Sequence, residues 1–434
     1  MSDHLGLPDG GLKAYAMRRA MALLREAKQF YGHLAILSGL SAAAALGSYL
    51  FKILLANALG PETFGLYSYI FILGSLATLF ISYEMDHTAP VLFARTGDPE
   101  AVIALVFTLR GALLGVLVIA GIPVIALLRA GGEHWPLVVF GTMVLSIQAL
   151  NFSFAYEIGK RNIRYLLIYL GERVFFIVGG LVLILCGVDE IAPYLAILAA
   201  TTAISLTIQG LDNWKLFTSP HRRLLGQTLM GNTPLFAISI STYAYGGLSR
   251  IVLEAQQGLS EVGVYSAAWQ LVAIGTLFQS QVDRVWRLRI AHAATDADYT
   301  ALRGLVRSYL LFATGPMALF AVVLSLAAPR IVQVLFNESY AGIVLILPVM
   351  ATYLIVVSLN GLARMLWVAF GDRKLYLVIT VAGALITLAA LIVLPGVGDL
   401  TIFASVVVGG HSAVVLTLLV TIGLKIARRM PRLS

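Results

Sequence analysis

Five basic residues, Lys52, Arg110, Arg173, Arg250 and Arg364, lie inside long apolar runs of a 434-residue sequence. Where such a run crosses a bilayer, a central cation costs about 2.5–3.5 kcal/mol to insert, so it must face a carboxylate, a wet cavity or an anion. The chemistry these groups offer is charge-assisted hydrogen bonding to phosphate or carboxylate oxygens. Each also has a structural reading. Lys52 and Arg364 sit toward the ends of their runs, where a long side chain can snorkel to the interface, and snorkelling is the reading favoured for Arg364. Arg110 can form an ion pair with Glu84, Asp86 or Glu157. Arg173 adjoins Glu172, and neighbours in a helix do not face each other, so at least one needs a partner on another helix.

Lys52 and Arg250 are related by more than charge. The stretch Leu59-Gly60-Pro61-Glu62-Thr63-Phe64-Gly65-Leu66-Tyr67-Ser68 returns at a constant offset of 198, where Gly60, Gly65, Tyr67 and Ser68 become Gly258, Gly263, Tyr265 and Ser266. Ile53 and Leu55 match Ile251 and Leu253, and Thr78-Leu79-Phe80 matches Thr276-Leu277-Phe278. So many matches at one spacing mark an internal repeat. The same offset carries Lys52 onto Arg250. Ser38, Ser41, Ala45, Ser48 and Lys52 share a face at helical spacing, as do Ser239, Tyr243, Gly246 and Arg250. A second pair of faces carries Ser75, Thr78, Ser82 and Asp86, and Ser266, Gln270, Thr276, Ser280 and Arg284. Two such faces across a pseudo-two-fold axis would enclose a polar cleft with one cation from each half. An ion pair of Arg250 with Glu254, one turn on, is the plainer alternative.

The elements that must hold these residues are membrane helices. Hydrophobic residues make up 59% of the chain and charged residues 12%, against about 45–50% and about 25% in soluble domains. The apolar residues come in blocks of roughly 20, about the length that spans a bilayer as helix. Twelve spans are expected, near 33–57, 65–86, 101–128, 136–158, 164–187, 191–214, 232–255, 262–286, 305–328, 341–368, 374–394 and 400–425. With both termini cytoplasmic, 23 of the 30 Lys and Arg fall in inner segments and two, Arg129 and Arg330, in outer ones. A miscounted helix would reverse every later loop, so the positive-inside rule supports twelve. Six helices per half give both halves the same orientation, related by an axis along the membrane normal. The expected organisation is all-α and polytopic. It has a basic amphipathic segment 1–30 on the membrane surface, an N-lobe 31–217, a cytoplasmic linker 218–231 and a C-lobe 232–428.

Other chemistries find little support. The net charge of +8 sits in short clusters between apolar blocks, a membrane-topology pattern rather than a nucleic-acid surface. The single cysteine, Cys186, allows no internal disulfide and reads as a buried inert thiol. Residues 1–30 are too charged for a cleavable signal. The histidines show no metal-ligand spacing, and His411 reads as a hydrogen-bonding packing residue within a helix. There is no phosphate-binding Gly-Lys loop, Gly-x-Ser-x-Gly or His-Glu-x-x-His, so neither an enzyme nor a cofactor is expected. Ion coupling would need a titratable group. Glu84, Asp86, Glu157, Glu172, Glu254 and Asp283 are available, and Glu84, Asp86, Glu254, Asp283 and Arg284 are candidates for coupling or for an inner gate.

Leu59-Gly60-Pro61-Glu62-x-Phe64-Gly65-x-Tyr67, Val262-Gly263-Val264-Tyr265-Ser266-Ala267-Ala268 and Phe370-Gly371-Asp372-Arg373-Lys374 resemble the polysaccharide transporter family of the multidrug/oligosaccharidyl-lipid/polysaccharide exporter superfamily. Ile158-Gly159-Lys160-Arg161 is a weaker echo. The resemblance covers nearly the whole chain and marks fold rather than substrate. It implies a Wzx-type flippase of the bacterial inner membrane, moving undecaprenyl-diphosphate-linked oligosaccharide by alternating access for O-antigen, capsule or exopolysaccharide assembly. Cavity-cation roles would then fall to Lys52 and Arg250, and further to Arg110 and Arg173. Membrane lipids, a proton or sodium ion, a glycan polymerase and a chain-length regulator are the implied partners. An ion-coupled drug exporter of the same superfamily is the alternative, and a membrane glycan polymerase or ligase a more distant one.

Overall fold

The computed structural model describes residues 9–128, 134–159, 161–214, 222–370, 373–394 and 399–429. The side chains of residues 12–30 and of Arg284 lie outside the described residues, as do Lys160 and Gly371–Asp372 of the loop motifs. The described elements are helices throughout. The first half holds α1 (Asp9–Ser82), α2 (Met85–Thr96), α3 (Pro99–Val116), α4 (Ile122–Leu128), α5 (Trp135–Ile147), α6 (Ser153–Ile158), α7 (Asn162–Leu185) and α8 (Ile191–Asn213). The second holds α9 (Arg222–Tyr243), α10 (Ser249–Gln257), α11 (Leu259–Thr295), α12 (Tyr299–Tyr309), α13 (Gly315–Leu326), α14 (Ala328–Leu335), α15 (Ile343–Phe370), α16 (Arg373–Val393) and α17 (Leu400–Arg429).

Among the described residues, nine helices are long and apolar enough to cross a membrane. The expected spans 33–57 and 65–86 run together as α1, bent at Gly60. The expected spans 232–255 and 262–286, in α9–α10 and α11, are not among the nine. These two carry much of the polar lining described below, and a helix facing a wet chamber need not be apolar all round. The segment expected to lie on the membrane surface is helical and continuous with the first crossing. The expected linker 218–231 overlaps the start of α9 at Arg222.

The repeat is visible in backbone geometry. Gly60 (φ 74°, ψ 170°) and Gly258 (φ 88°, ψ −178°) share a conformation that L residues rarely adopt. Each ends one helix and re-aims the next. Five residues on, Gly65 and Gly263 meet at the pseudo-axis, their amide nitrogens close to each other's would-be β-carbons. A β-carbon on Gly65 would overlap the carbonyl of Leu259, and one on Gly263 would overlap the carbonyl of Pro61. Leu259 and Pro61 are themselves repeat mates, so the contact is isologous, as between two copies of one surface.

The third crossing repeats too, at slightly different offsets. Asp98 and Asp298 cap α3 and α12 by accepting from the amides of Ala101 (3.0 Å) and Ala301 (2.9 Å). Each helix then widens into a π turn, Leu117–Gly121 and Leu310–Thr314, just ahead of Pro123 and Pro316. A helix-interior proline crowds the carbonyl four residues back, and the wider turn accommodates it. One apolar core is continuous across both halves, with Phe64 and Tyr67 from the first packed into it alongside Val262 and Tyr265 from the second. A smaller cluster around Met85, Val106, Phe152 and Tyr156 joins α2, α3 and α6. Cys186 is exposed, not buried: it sits where α7 ends ahead of Gly187, beyond the reach of the core.

Gly65→Ala or Gly263→Ala is expected to force the halves apart and cost about 1–3 kcal/mol, as overpacking does. Thermal unfolding in detergent should show a lower midpoint for either, and none for Gly111→Ala, whose added carbon meets nothing within 4 Å.

Candidate functional site

Between the halves lies a chamber in two connected parts. The narrow part, about 180 Å³, is lined by Lys52 and Arg250 together with Tyr49, Phe71, Tyr243, Trp269 and Gln270. The wide part, about 640 Å³, shares Ser75, Tyr243, Arg250 and Trp269 with it and continues to Asn360, Arg364 and Tyr376. Two of the four faces expected from spacing line it; of the other two only Lys52 and Gln270 do so among the described residues, and the side chains of Ser38, Ser41, Ser280 and Arg284 lie outside those residues. Ser239, Tyr243, Gly246 and Arg250 all line the wide part, as do Ser75, Thr78 and Ser82. Among the described residues, no carboxylate lines either part.

The two cations are held alike. Lys52 Nζ lies 5.7 Å from the centre of the Phe71 ring and 5.6 Å from that of Tyr49. Arg250 Cζ lies 5.6 Å from the centre of the Trp269 ring. Phe71 and Trp269 stand at the repeat offset of 198, so each half offers its cation an aromatic platform. Arg250 also donates from Nε to the Gly246 carbonyl (2.6 Å) and from Nη1 to Ser266 Oγ (3.2 Å). The helix carrying it opens into a π turn, Ala244–Leu248. Gly247 leaves room for the Tyr243 ring, whose hydroxyl reaches across to donate to the Ile72 carbonyl at 2.6 Å.

Beyond Lys52 the chamber is closed by contacts between the halves. Asn57 donates from Nδ2 to the Leu335 carbonyl (2.6 Å) and accepts from the Asn337 amide (2.9 Å). Tyr340 donates to the Ala56 carbonyl (2.9 Å). At the other end the Arg364 side chain is 53% exposed. Arg364 thus lines the chamber and pairs with Asp283. That partner, 81 residues away on another helix, leaves no local sign in the sequence.

Arg110 lies off the chamber. It is fully buried in the first half, donating to Asp86 Oδ1 (2.7 Å) and to the Asn151 carbonyl (2.9 Å). The ion pair with Asp86 is thus the reading that holds, and both residues leave the ligand path. Arg173 lines a separate polar cavity of about 160 Å³ with Glu172, Gln148 and Tyr169, stacked 5.1 Å from the Tyr169 ring centre. That cavity touches the wide chamber at Thr78. Glu84 sits at the break between α1 and α2 with left-handed φ 60°, and Glu254 is half-buried one turn past Arg250. Neither lines the chamber. Asp283 is buried behind Arg364, accepting from Tyr309 and Gln279, both at 2.8 Å. His411 packs, stacked on Tyr245 at 4.3 Å, but the hydrogen bond expected of it is not made at Nδ1, which has no partner among the described residues.

The aromatic platforms, Tyr309 and Gln279 were not foreseen. The repeat offset linking Phe71 to Trp269 was the available signal for the first pair.

With this geometry in hand, comparison with known proteins identifies the lineage. The family described as "Polysaccharide biosynthesis protein" matches residues 33–282, more than half of the chain. The chain belongs to that family. No curated protein matches this polysaccharide biosynthesis family member. Its fold is similar to that of an inward-facing multidrug resistance MATE family transporter of the MOP superfamily, at TM-score 0.71 and 16% identity, covering 89% of this chain and 95% of that one. An outward-facing structure of a multidrug resistance MATE family transporter gives 0.59 at 14% identity, over 91% and 95%. A MOP superfamily transporter from Pyrococcus furiosus, described as having a binding pocket of reverse polarity, gives 0.52 at 14% identity, over 91% and 94%. The family member is thus a multi-pass membrane protein with a transporter fold.

The burial patterns separate structural from chamber cations. Arg110→Met should leave Asp86 with only the Ser153 hydroxyl at 3.3 Å and remove the Asn151 carbonyl's Arg110 bond, and cost about 1–3 kcal/mol of stability. Lys52→Met should leave the unfolding midpoint unchanged within error. Denaturation of both variants in the same detergent checks this.

Proposed function

We propose that the protein is a flippase for undecaprenyl-diphosphate-linked oligosaccharide in the bacterial inner membrane, serving assembly of O-antigen, capsule or exopolysaccharide. The observation that carries this reading is the sign of the chamber. Lys52, Arg250 and Arg364 line it, and no described carboxylate does. A diphosphate leaving the headgroup layer needs charge-assisted donors, and these are the donors present. Arg173, in its side cavity, is a weaker candidate for the same role, and Arg110 is withdrawn from it.

In this reading twelve helices form the lobes 31–217 and 232–428, joined through 218–231. Both termini and residues 1–30 lie on the cytoplasmic side. The end sealed by Asn57 and Tyr340 then faces outward and the Arg364 end faces the cytoplasm, so the structure is an inward-open state. The contacts of Asn57 with Leu335 and Asn337 must break for the chamber to open outward. The protein moves its ligand without chemical change, and a glycan polymerase and chain-length regulator act downstream of it.

The fold similarity to multidrug transporters favours one other reading, an ion-coupled drug exporter. Ligand charge separates the two, since a cationic chamber repels the cations that a carboxylate-lined one would bind. Cells lacking the protein are expected to accumulate lipid-linked glycan in the inner leaflet with unchanged drug sensitivity. Arg250→Ala should fail to restore export while inserting normally, and Arg250→Lys should restore it in part. Drug sensitivity without glycan accumulation would establish the exporter instead.

A further inference from the structure

Arg364 lines the wide part of the chamber, with over half of its side chain exposed. Its anionic partner, Asp283, is only 7% exposed and lies behind it. The grip between them is loose: Nη2 to Oδ2 measures 3.3 Å, longer than the about 2.7–2.9 Å of a well-made charge-assisted bond. Asp283 does not depend on that grip for its place. Its Oδ1 accepts from Tyr309 Oη on α12 and from Gln279 Nε2 on its own helix, both at 2.8 Å. The Tyr309 hydroxyl is held in turn by Gln279 Nε2, which donates to it at 2.6 Å. Gly361, on the helix of Arg364, leaves the space the carboxylate fills, since a β-carbon there would come within 2.8 Å of both its oxygens. The carboxylate is therefore a fixed group, and the guanidinium is the movable one.

Arg250 lines both parts of the chamber, Lys52 the narrow part and Arg364 the wide part, so the three cations form a series along it. We propose that Arg364 is a third ligand-binding cation for the diphosphate, held in reserve by Asp283, which acts as an internal competitor that the ligand's phosphate oxygens displace. This rests on the reading of the chamber as a diphosphate site. Two consequences follow from competition. Removing Arg364 weakens binding. Removing the charge of Asp283 strengthens it, and does so through Arg364.

The test is a double-mutant cycle on the full-length protein in detergent, with farnesyl diphosphate as the probe and calorimetry as the readout. Arg364→Gln is expected to weaken binding about tenfold, the scale of one hydrogen bond to a charged group. Arg364→Lys should recover part of that loss. Asp283→Asn should tighten binding about two- to fivefold, the scale of a partly exposed ion pair. In the Arg364→Gln background most of that tightening should vanish. Equal tightening in both backgrounds would reveal a simple field effect and overturn the competition, as would full affinity in Arg364→Gln. If the probe binds and loses affinity in Lys52→Ala but not in Arg364→Gln, the diphosphate reading stands and this inference falls. If the probe does not bind at all, both fall.

Discussion

The close approach of Gly65 and Gly263 is the constraint on which the rest depends. Two helices can meet backbone to backbone at an axis only where neither carries a β-carbon. Here each would strike the carbonyl of the other half's repeat mate. That contact sets how far apart the halves stand. It also decides which faces look at each other, because Gly60 and Gly258 turn the chain immediately before it through the same unusual backbone angles. Lys52 and Arg250 lie eight residues upstream of those glycines, one in each half, and so line the same narrow space.

A chamber built this way answers the cost of placing cations in a membrane without cancelling their charge. Arg110 shows the other solution: it is fully buried and neutralised by Asp86. Lys52 and Arg250 instead rest over aromatic rings, and Arg250 is oriented by a carbonyl and a hydroxyl. Such contacts stabilise and orient a cation while leaving its net charge available to a ligand. The pseudo-symmetry is strict at the contact of Gly65 with Gly263 and looser elsewhere, as the one-sided bonds of Asn57 and Tyr340 show. The carboxylate near the end of the second crossing is taken by an arginine of α3 in one half and of α15 in the other. Only the second arginine faces the chamber.

What could be read from the sequence follows from what each residue's neighbours are. Glycines at a close contact admit no substitute, so the repeat around Gly60 and Gly65 stood out in a chain of otherwise interchangeable apolar residues. Ser75, Thr78 and Ser82 on α1 and Ser239 on α9 marked chamber faces by their spacing, since polar groups in a membrane helix need a polar surrounding. Pairings between distant helices left no such trace. Asp86 lies 24 residues from Arg110 and Asp283 lies 81 from Arg364, with nothing local to link them. The seal formed by Asn57 was hidden likewise, because its partners lie 278 and 280 residues away. The bend at Gly60 was legible as an interruption, but not that the helical path resumes so directly after it.

The central claim is that one cation from each half of the repeat binds a single anion between them. A cryo-electron microscopy structure of the protein with a polyprenyl diphosphate bound would test it most directly. The account predicts density for the two phosphorus atoms within hydrogen-bonding reach of both Lys52 Nζ and the Arg250 guanidinium. Phosphate density at the membrane-facing surface, with those two side chains left to their aromatic platforms alone, would contradict it.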